Sequence, residues 1–201
     1  MFSGKIEDYI LFEDKEIIVC RKPAGIAVQN ARIGAMDLES SLKNYLAMQD
    51  GGGRRIPYLA VIHRLDQPVE GILVFGKTPE AAKSLSAQIT AGKMEKIYLA
   101  VTYGKQAEAG KKEKVLEDYL KKDGKSNTSS VVNAHTPGAK KARLSYEVLG
   151  EAVDAISGKK KWLLRIHLDT GRHHQIRVQM AHAGMPLACL LHTSPSPRDT
   201  E

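Results

Sequence analysis

Short runs of hydrophobic residues, separated by polar turns, recur along most of this chain. Such runs, many of them rich in β-branched side chains, are typical of strands. Two predicted strands within residues 9–21 flank the polar turn 13–15. The other strands are predicted at residues 59–62, 71–75, 96–103, 115–120, 143–149 and 162–168, the last two joined by a long polar turn.

Three segments show instead the spacing of an amphipathic helix. The first follows Asp37 and ends at the glycine run 51–53, which we interpret as a flexible turn. The second begins where Thr78 precedes Pro79, and the third lies within residues 171–184. The predicted buried faces are Leu38, Leu42, Tyr45 and Leu46; Ala81, Leu85 and Ile89; and Ile176, Met180 and Ala183. Many strands with few helices predict an α+β fold with a mixed, largely antiparallel sheet and a few flanking helices.

Residues 104–141 differ from the rest of the chain in composition. They contain nine lysines and five acidic residues, together with a polar stretch at 125–130. We interpret this segment as an exposed insertion with one short strand at 115–120 and a mobile loop. Its charges have two possible meanings, a solvated edge or an arm that contacts phosphates.

Length and composition narrow the classes of protein. The chain has 201 residues, of which 42% are hydrophobic and 26% charged, as expected for one globular domain. No apolar run approaches the ~20 residues of a membrane span, and acidic residues near the start argue against a signal peptide. We therefore expect a monomeric, cytoplasmic protein without a membrane partner. The net charge of +7 favours a polyanionic partner.

Reactive side chains concentrate in three places. Residues 63–66, His-Arg-Leu-Asp, directly follow a predicted strand, where the aspartate either caps a turn or projects into a cleft. Lys96 and Tyr98 share one face of a strand, where the tyrosine either packs or lines a site. Residues 171–178, Gly-Arg-His-His-Gln-Ile-Arg-Val, place cations where they oppose a helix dipole, so a carboxylate or phosphate should lie nearby.

Other common kinds of site find no support. Cys20 and Cys189 are the only cysteines, which excludes a disulfide framework and a four-cysteine zinc site. His173 and His174 are adjacent, so their side chains diverge on a helix and cannot easily share one ion. The chain has no His-Glu-x-x-His, no Gly-x-Ser-x-Gly and no dinucleotide fingerprint. We expect neither a metal nor an organic cofactor.

Taken together and in order, these segments resemble the motifs of RluA-type RNA pseudouridine synthases. The resemblance rests on residues 63–66 with 71–77 (GILVFGK), on Lys96-x-Tyr98-Leu-Ala, and on 171–178. The opening stretch 14–25, DKEIIVCRKPAG, is similar to the start of that family's domain. The resemblance covers about residues 9–187 and implies that the chain converts uridine to pseudouridine in ribosomal or transfer RNA.

The resemblance also implies roles for individual residues. Asp66 would be the essential carboxylate, either as the nucleophile or as a base on the ribose, and Arg177 would pair with it. Tyr98 would stack on the uracil of a flipped-out nucleotide. Arg64 matches a residue that can fill the vacated stack. Contacts to substrate or RNA are expected from His63, Arg64, Lys96, Arg172, His174, Gln175 and Val178.

The chain departs from the family pattern in three places. Val69-Glu70 stand where many members have Thr-Ser, and His173 stands where many have Thr. After residues 186–187 the family continues with further strands, so we expect residues 188–201, with prolines at 195 and 197, to be an unstructured tail. The last strands of the sheet would then be missing. The alternative function is therefore a catalytically inactive RNA-binding relative; a third possibility is an unrelated basic module that binds nucleic acid.

Overall fold

The computed structural model describes residues 3–30, 36–51, 56–104 and 113–193. The chain divides into two compact units, Met1–Met94 and Glu95–Glu201. Each unit combines antiparallel strands with helices, which confirms the predicted α+β fold. Across the described ranges, none of the helices has the length and apolar character needed to cross a membrane.

The described residues of the first unit form four short strands, two α-helices and one 3-10 helix. The middle strand, β2, pairs antiparallel with β1 on one edge and β4 on the other, and β3 also pairs with β4. The elements are the 3-10 helix Ile6–Tyr9, β1 Ile10–Glu13, β2 Ile17–Lys22, α1 Leu38–Gln49, β3 Ala60–Val61, β4 Glu70–Gly76 and α2 Pro79–Thr90.

Alternating side chains build the core of this unit. Ile18 and Cys20 on β2 are fully buried, as are Leu73 and Phe75 on β4. Burial raises the pKa of the Cys20 thiol to about 12, so this cysteine is a packing residue.

The two helices begin where capping residues predict. The Asp37 carboxylate accepts a hydrogen bond from the Ser40 amide at 2.7 Å, and the Thr78 hydroxyl accepts one from Ala81 at 3.1 Å. The predicted buried faces are confirmed at Leu38, Leu42, Leu46 and Ala81 and are wrong at Tyr45, Leu85 and Ile89, which are only half-buried. Tyr45 keeps its hydroxyl at the surface because it donates to the Glu13 carboxylate at 2.9 Å.

Where the structure describes the second unit, it is a six-stranded antiparallel sheet with one helix. The strand order is β10-β5-β9-β8-β6-β7, and α3 packs against β6, β7 and β10. The elements are β5 Ile97–Tyr103, β6 Lys114–Asp123, β7 Thr128–Val132, β8 Lys140–Val153, β9 Lys160–Leu168, α3 Gln175–His182 and β10 Leu187–Thr193.

Part of the lysine-rich insertion is more ordered than the composition predicts. The single short strand and mobile loop are wrong for residues 114–132, which form the hairpin of β6 and β7. The turn is closed by Asp123, whose carboxylate accepts hydrogen bonds from the Lys125 amide at 2.9 Å and the Ser126 hydroxyl at 2.8 Å. Leu120 is buried at 3% exposure and anchors the hairpin on the unit. Residues 105–112 lie outside the described ranges.

The predicted unstructured tail is wrong for residues 188–193. They belong to β10, which pairs with β5 from Leu187 opposite Thr102 to Thr193 opposite Ile97. The run Leu-Ala-Cys-Leu-Leu lacks the alternation of apolar and polar residues by which a half-exposed strand is predicted. The prolines at 195 and 197 lie outside the described residues, and so does the tail prediction for 194–201.

A close approach at the end of β5 yields a stability prediction. Gly104 has φ of +108°, and a Cβ there would overlap the Gly184 carbonyl oxygen. We expect Gly104→Ala to lower the free energy of unfolding by roughly 2–5 kcal/mol, from backbone strain and overlap together. Urea denaturation measures this. Gly124→Ala is the control, because its Cβ would enter open space, and an equal loss in both variants would contradict the expectation.

Candidate active site

Asp66 opens a tight turn in the loop between β3 and β4. The Val69 amide donates to the Asp66 carbonyl at 3.0 Å, and Leu65 beside it is buried at 7% exposure. The Asp66 side chain is half-buried. Of the other predicted residues here, His63 is half-buried with its Nε2 3.5 Å from the Val74 amide, and Arg64 is exposed.

Lys22 is a buried cation beside the Asp66 turn that the sequence analysis missed. Its side chain is fully buried, and its ammonium donates to three backbone carbonyls: Pro23 at 3.0 Å, Ile26 at 2.7 Å and Gln67 at 3.0 Å. The last of these belongs to the residue that follows Asp66. Lys22 therefore fastens the Asp66 turn to the end of β2.

Gly25 strengthens this attachment. Its amide donates to the Gln67 carbonyl at 2.8 Å, and the Gln67 side-chain amide donates to the Gly25 carbonyl at 3.0 Å. Gly25 has φ of +84°, a left-handed conformation that favours glycine. The Lys-Pro-Ala-Gly stretch thus holds the backbone beside Asp66 from several directions.

The charge of Lys22 also bears on Asp66. Removal from water lowers the pKa of Lys22 to about 8, and the carboxylates of Asp66 and Glu70 act in the opposite direction. At neutral pH the ammonium is mostly protonated. This positive charge interacts with the negative charges of the two carboxylates.

One signal in the sequence could have found Lys22. Ile18 and Cys20 are inward positions of β2, and period-two alternation puts Lys22 on the same face. A lysine at an inward position needs hydrogen-bond acceptors for all of its N–H groups. Such a residue is therefore a candidate for fixing the backbone around it.

In the second unit, Tyr98 lies on a defined face of the sheet. It is 8% exposed and stands opposite Ile166 on β9, which stands opposite Tyr146 on β8. Cross-strand partners share a face, so these three side chains lie on the same side of the sheet. Lys96 precedes β5 by one residue, and we place it on this face with Tyr98, as the alternation predicts.

Lys96 is half-buried at the start of β5. Burial lowers its pKa, the Asp169 carboxylate opposes that change, and Arg172 adds to it. The Lys96 ammonium therefore interacts with one other cation, Arg172, and with one carboxylate, Asp169.

Helix α3 covers the same face of the sheet as Tyr98. Gln179 donates to the Asp118 carboxylate at 2.8 Å, and the His182 ring lies 3.1 Å from its other oxygen. Asp118 is four positions along β6 from Lys114, the partner of Tyr146, and therefore shares the face of Tyr146. The structure thus brings Lys96, Tyr98 and α3 to one side of this unit.

Gln175 fixes the start of α3. Its carboxamide is buried at 2% exposure, and it accepts from the Thr170 hydroxyl at 2.7 Å and the Arg172 amide at 3.0 Å. It donates to the Arg143 carbonyl at 3.0 Å and to Gln179 at 2.9 Å. These contacts give Gln175 a structural role, and its predicted contact with RNA stays a prediction.

The segment before α3 carries the other predicted residues. Helix α3 begins at Gln175, so Arg172 and His174 precede it, and its first turn contains no acidic residue. His174 has φ of +52°, and its ring stacks on His173 with centroids 3.9 Å apart. Arg177 and Val178 are half-buried in the first turns of the helix.

The predicted site residues are therefore divided between the two units. His63, Arg64 and Asp66 belong to the first, and the others belong to the second. The ion pair between Asp66 and Arg177 joins residues of different units and stays a prediction.

Comparisons with known proteins bear on this arrangement. Residues 16–182 match the family model for RNA pseudouridylate synthase. The chain is 32% identical over 185 residues to ribosomal large subunit pseudouridine synthase D of Xylella fastidiosa, covering 89% of this chain and 49% of the relative. It is 33% identical over 183 residues to the protein of that name in Pseudomonas aeruginosa, covering 90% and 52%. The chain thus spans about half the length of these relatives.

Solved structures agree on the fold. Human RNA pseudouridylate synthase domain containing 1 superposes with a TM-score of 0.73 at 18% identity, covering 96% of this chain and 79% of that one. Human RNA pseudouridylate synthase domain containing 4 gives 0.69 at 22% identity, covering 90% and 67%. The match of the family model over most of the chain agrees with the order of its motifs, and we conclude that this chain belongs to the RNA pseudouridylate synthase family.

Proposed function

We propose that this chain converts uridine to pseudouridine in ribosomal RNA of the large subunit, with Asp66 as the essential carboxylate. The names of the relatives from Xylella fastidiosa and Pseudomonas aeruginosa support the substrate class. The observation that carries the proposal is the seating of Asp66: its turn is hydrogen-bonded to a fully buried ammonium whose charge acts on its carboxylate.

The proposed reaction is an isomerisation. The bond between the ribose C1′ and uracil N1 breaks, the uracil turns, and C1′ bonds to C5, which then loses its proton while N1 gains one. Asp66 acts as an ionised oxygen base or nucleophile at the ribose. The balance of atoms and electrons requires neither an oxidant nor a metal or organic cofactor.

Other residues hold the base in this proposal. A target uridine must leave its stack to be reached, at a cost of a few kcal/mol. Tyr98, on the face of the second unit that helix α3 covers, supplies an aromatic surface for stacking, and Val178 packs against the uracil. The Tyr98 phenol is a weak base, so we assign this residue a positioning role. Arg64 is exposed and takes the place of the flipped base.

The test of this proposal is formation of product. Purified wild-type protein is incubated with large-subunit ribosomal RNA from a strain that lacks the gene, and new pseudouridines are mapped by chemical modification and reverse transcription. New pseudouridine at a defined position supports the proposal. RNA binding without product contradicts it and supports the inactive RNA-binding relative. Location in the cytoplasm and a monomeric state stay predictions.

A further inference from the structure

The β6–β7 hairpin carries different charges on its two sides. Asp118, which accepts from α3, and Lys122 are four positions apart on β6 and therefore lie on one face. Lys140 pairs with Leu120, two positions from each, so it belongs to the same face. We call this the α3 face. Lys122 and Lys140 are both exposed on it, and diagonal positions on neighbouring strands are roughly 7–8 Å apart in the backbone.

On the opposite face, Lys141 and Arg143 are paired with carboxylates, and the charge of Lys121 interacts with the Asp123 carboxylate. Lys141 lies 2.8 Å from Glu117, and Arg143 lies 3.9 Å from Glu117 and 3.2 Å from Asp169. Lys122 and Lys140, by contrast, have no carboxylate partner within the part of the chain that the structure describes. The two lysines without a carboxylate partner therefore lie on the same face of the sheet as Tyr98 and α3.

Hydrogen bonds connect this part of the hairpin to the segment before α3. Ser129, the cross-strand partner of Lys122, has its hydroxyl 2.9 Å from His173 Nδ1. Arg172 Nε donates to the Lys141 carbonyl at 2.9 Å, next to Lys140 in sequence. Cationic positions thus follow one another along the α3 face, from Lys96 and Arg172 to the two lysines.

We propose that Lys122 and Lys140 contact phosphates of the RNA strand that flanks the target uridine. The inference rests on the proposed function, because the α3 face is where that function places the uracil. Exposed, unpaired lysines bind phosphates without reading sequence, so this surface orients the RNA and raises affinity while leaving the chemical step to other residues.

The experiment compares two double variants with equal loss of charge. Lys122→Gln/Lys140→Gln removes the proposed contacts. Lys121→Gln/Lys159→Gln is the matched control, since Lys121 lies on the opposite face of the same hairpin and Lys159 lies in the exposed turn before β9. The dissociation constant for a transcript of large-subunit ribosomal RNA is measured over a series of potassium chloride concentrations.

We expect the Lys122/Lys140 variant to lower the slope of log affinity against log salt by about 2, or about 1 for each lost contact. The control should keep the wild-type slope within about 0.5. The rate of pseudouridine formation with saturating enzyme should stay within about twofold of wild type in both. Equal slopes in the two variants, or an unchanged slope in the first, would overturn the inference and favour an acidic protein as the partner of this surface.

The two proposals fail separately. If wild type binds RNA but forms no pseudouridine, the proposed function is wrong, while a slope change confined to the Lys122/Lys140 variant still supports a phosphate-binding surface. If wild type forms pseudouridine and the slopes do not differ, the proposed phosphate contacts of Lys122 and Lys140 are wrong and the proposed function stands.

Discussion

Replacing Asp66 with asparagine is expected to abolish pseudouridine formation, with a fall in rate of at least about a thousandfold. Asparagine keeps the size of the side chain but can neither carry the negative charge nor take up a proton from the ribose. Loss of a catalytic acid or base commonly costs about 10²–10⁴ in rate, and a nucleophile more. The measurement is single-turnover conversion on large-subunit ribosomal RNA with saturating enzyme.

Glu70→Gln is the matched control for this experiment. Glu70 is a second half-buried carboxylate that acts on the charge of Lys22, so its loss reproduces the electrostatic change around the ammonium. We expect it to keep activity within about threefold of wild type. A similar loss in both variants would show that the field at Lys22, and not the chemistry of Asp66, sets the rate. RNA affinity of Asp66→Asn should stay near that of wild type.

The second large effect is expected from Lys22→Met. The variant leaves the carbonyls of Pro23 and Ile26 without their buried donor and the Gln67 carbonyl with the Gly25 amide alone. Each unsatisfied carbonyl costs about 1–3 kcal/mol, partly offset because a buried charge is also removed. Freed from this attachment, the Asp66 turn moves away from its seat, so we expect kcat to fall roughly 10- to 100-fold with little change in KM.

The stability of wild type relative to Lys22→Met should rise with pH. Below about pH 8 the lysine is protonated in folded and unfolded protein, and burial of the charge carries its full cost. Between about 8 and the unfolded value of 10.5 the folded form has lost the proton that the unfolded form still holds, so stability rises. Between about pH 7 and pH 9.5 the difference in free energy of unfolding should increase by about 2 kcal/mol.

Urea denaturation at a series of pH values measures this difference, and the comparison with a variant cancels the titration of other groups. The raised pKa of the Cys20 thiol, for example, acts in the opposite direction in both proteins. Lys77→Met is the control. The Lys77 ammonium pairs with Glu13 at 2.6 Å and donates to the Asp14 carbonyl, so its hydrogen bonds do not involve the Asp66 turn. A flat difference between wild type and Lys22→Met would show that Lys22 does not titrate as a buried ammonium.

Local patterns in the sequence predicted the elements of this fold well. Capping by Asp37 and Thr78, the apolar runs of β2 and β4 and the alternation along β5 are short-range properties, and the structure confirms them. The order of the motifs also placed the chain in its family. Residue roles at the site were carried over from that resemblance.

Features that depend on distant partners could not be predicted in this way. Lys22 can be buried because its ammonium donates hydrogen bonds to a carbonyl forty-five residues away and to others nearby. Gln175 and Gln179 became structural through bonds to Arg143 and Asp118, which no local pattern reveals. Segment 188–193 is a strand because β5 offers it a ladder of hydrogen bonds, which overrides its weak alternation.

The pairing of β10 with β5 has a consequence for biosynthesis. β5 leaves the ribosome long before β10, and β9, the neighbour on its other edge, also emerges earlier. Until residues 187–193 have been translated, the free backbone groups of β5 are open to pairing with any other nascent chain. A premature stop shortly before Leu187 should therefore yield protein that accumulates in inclusion bodies, even though every motif of the family has already been translated.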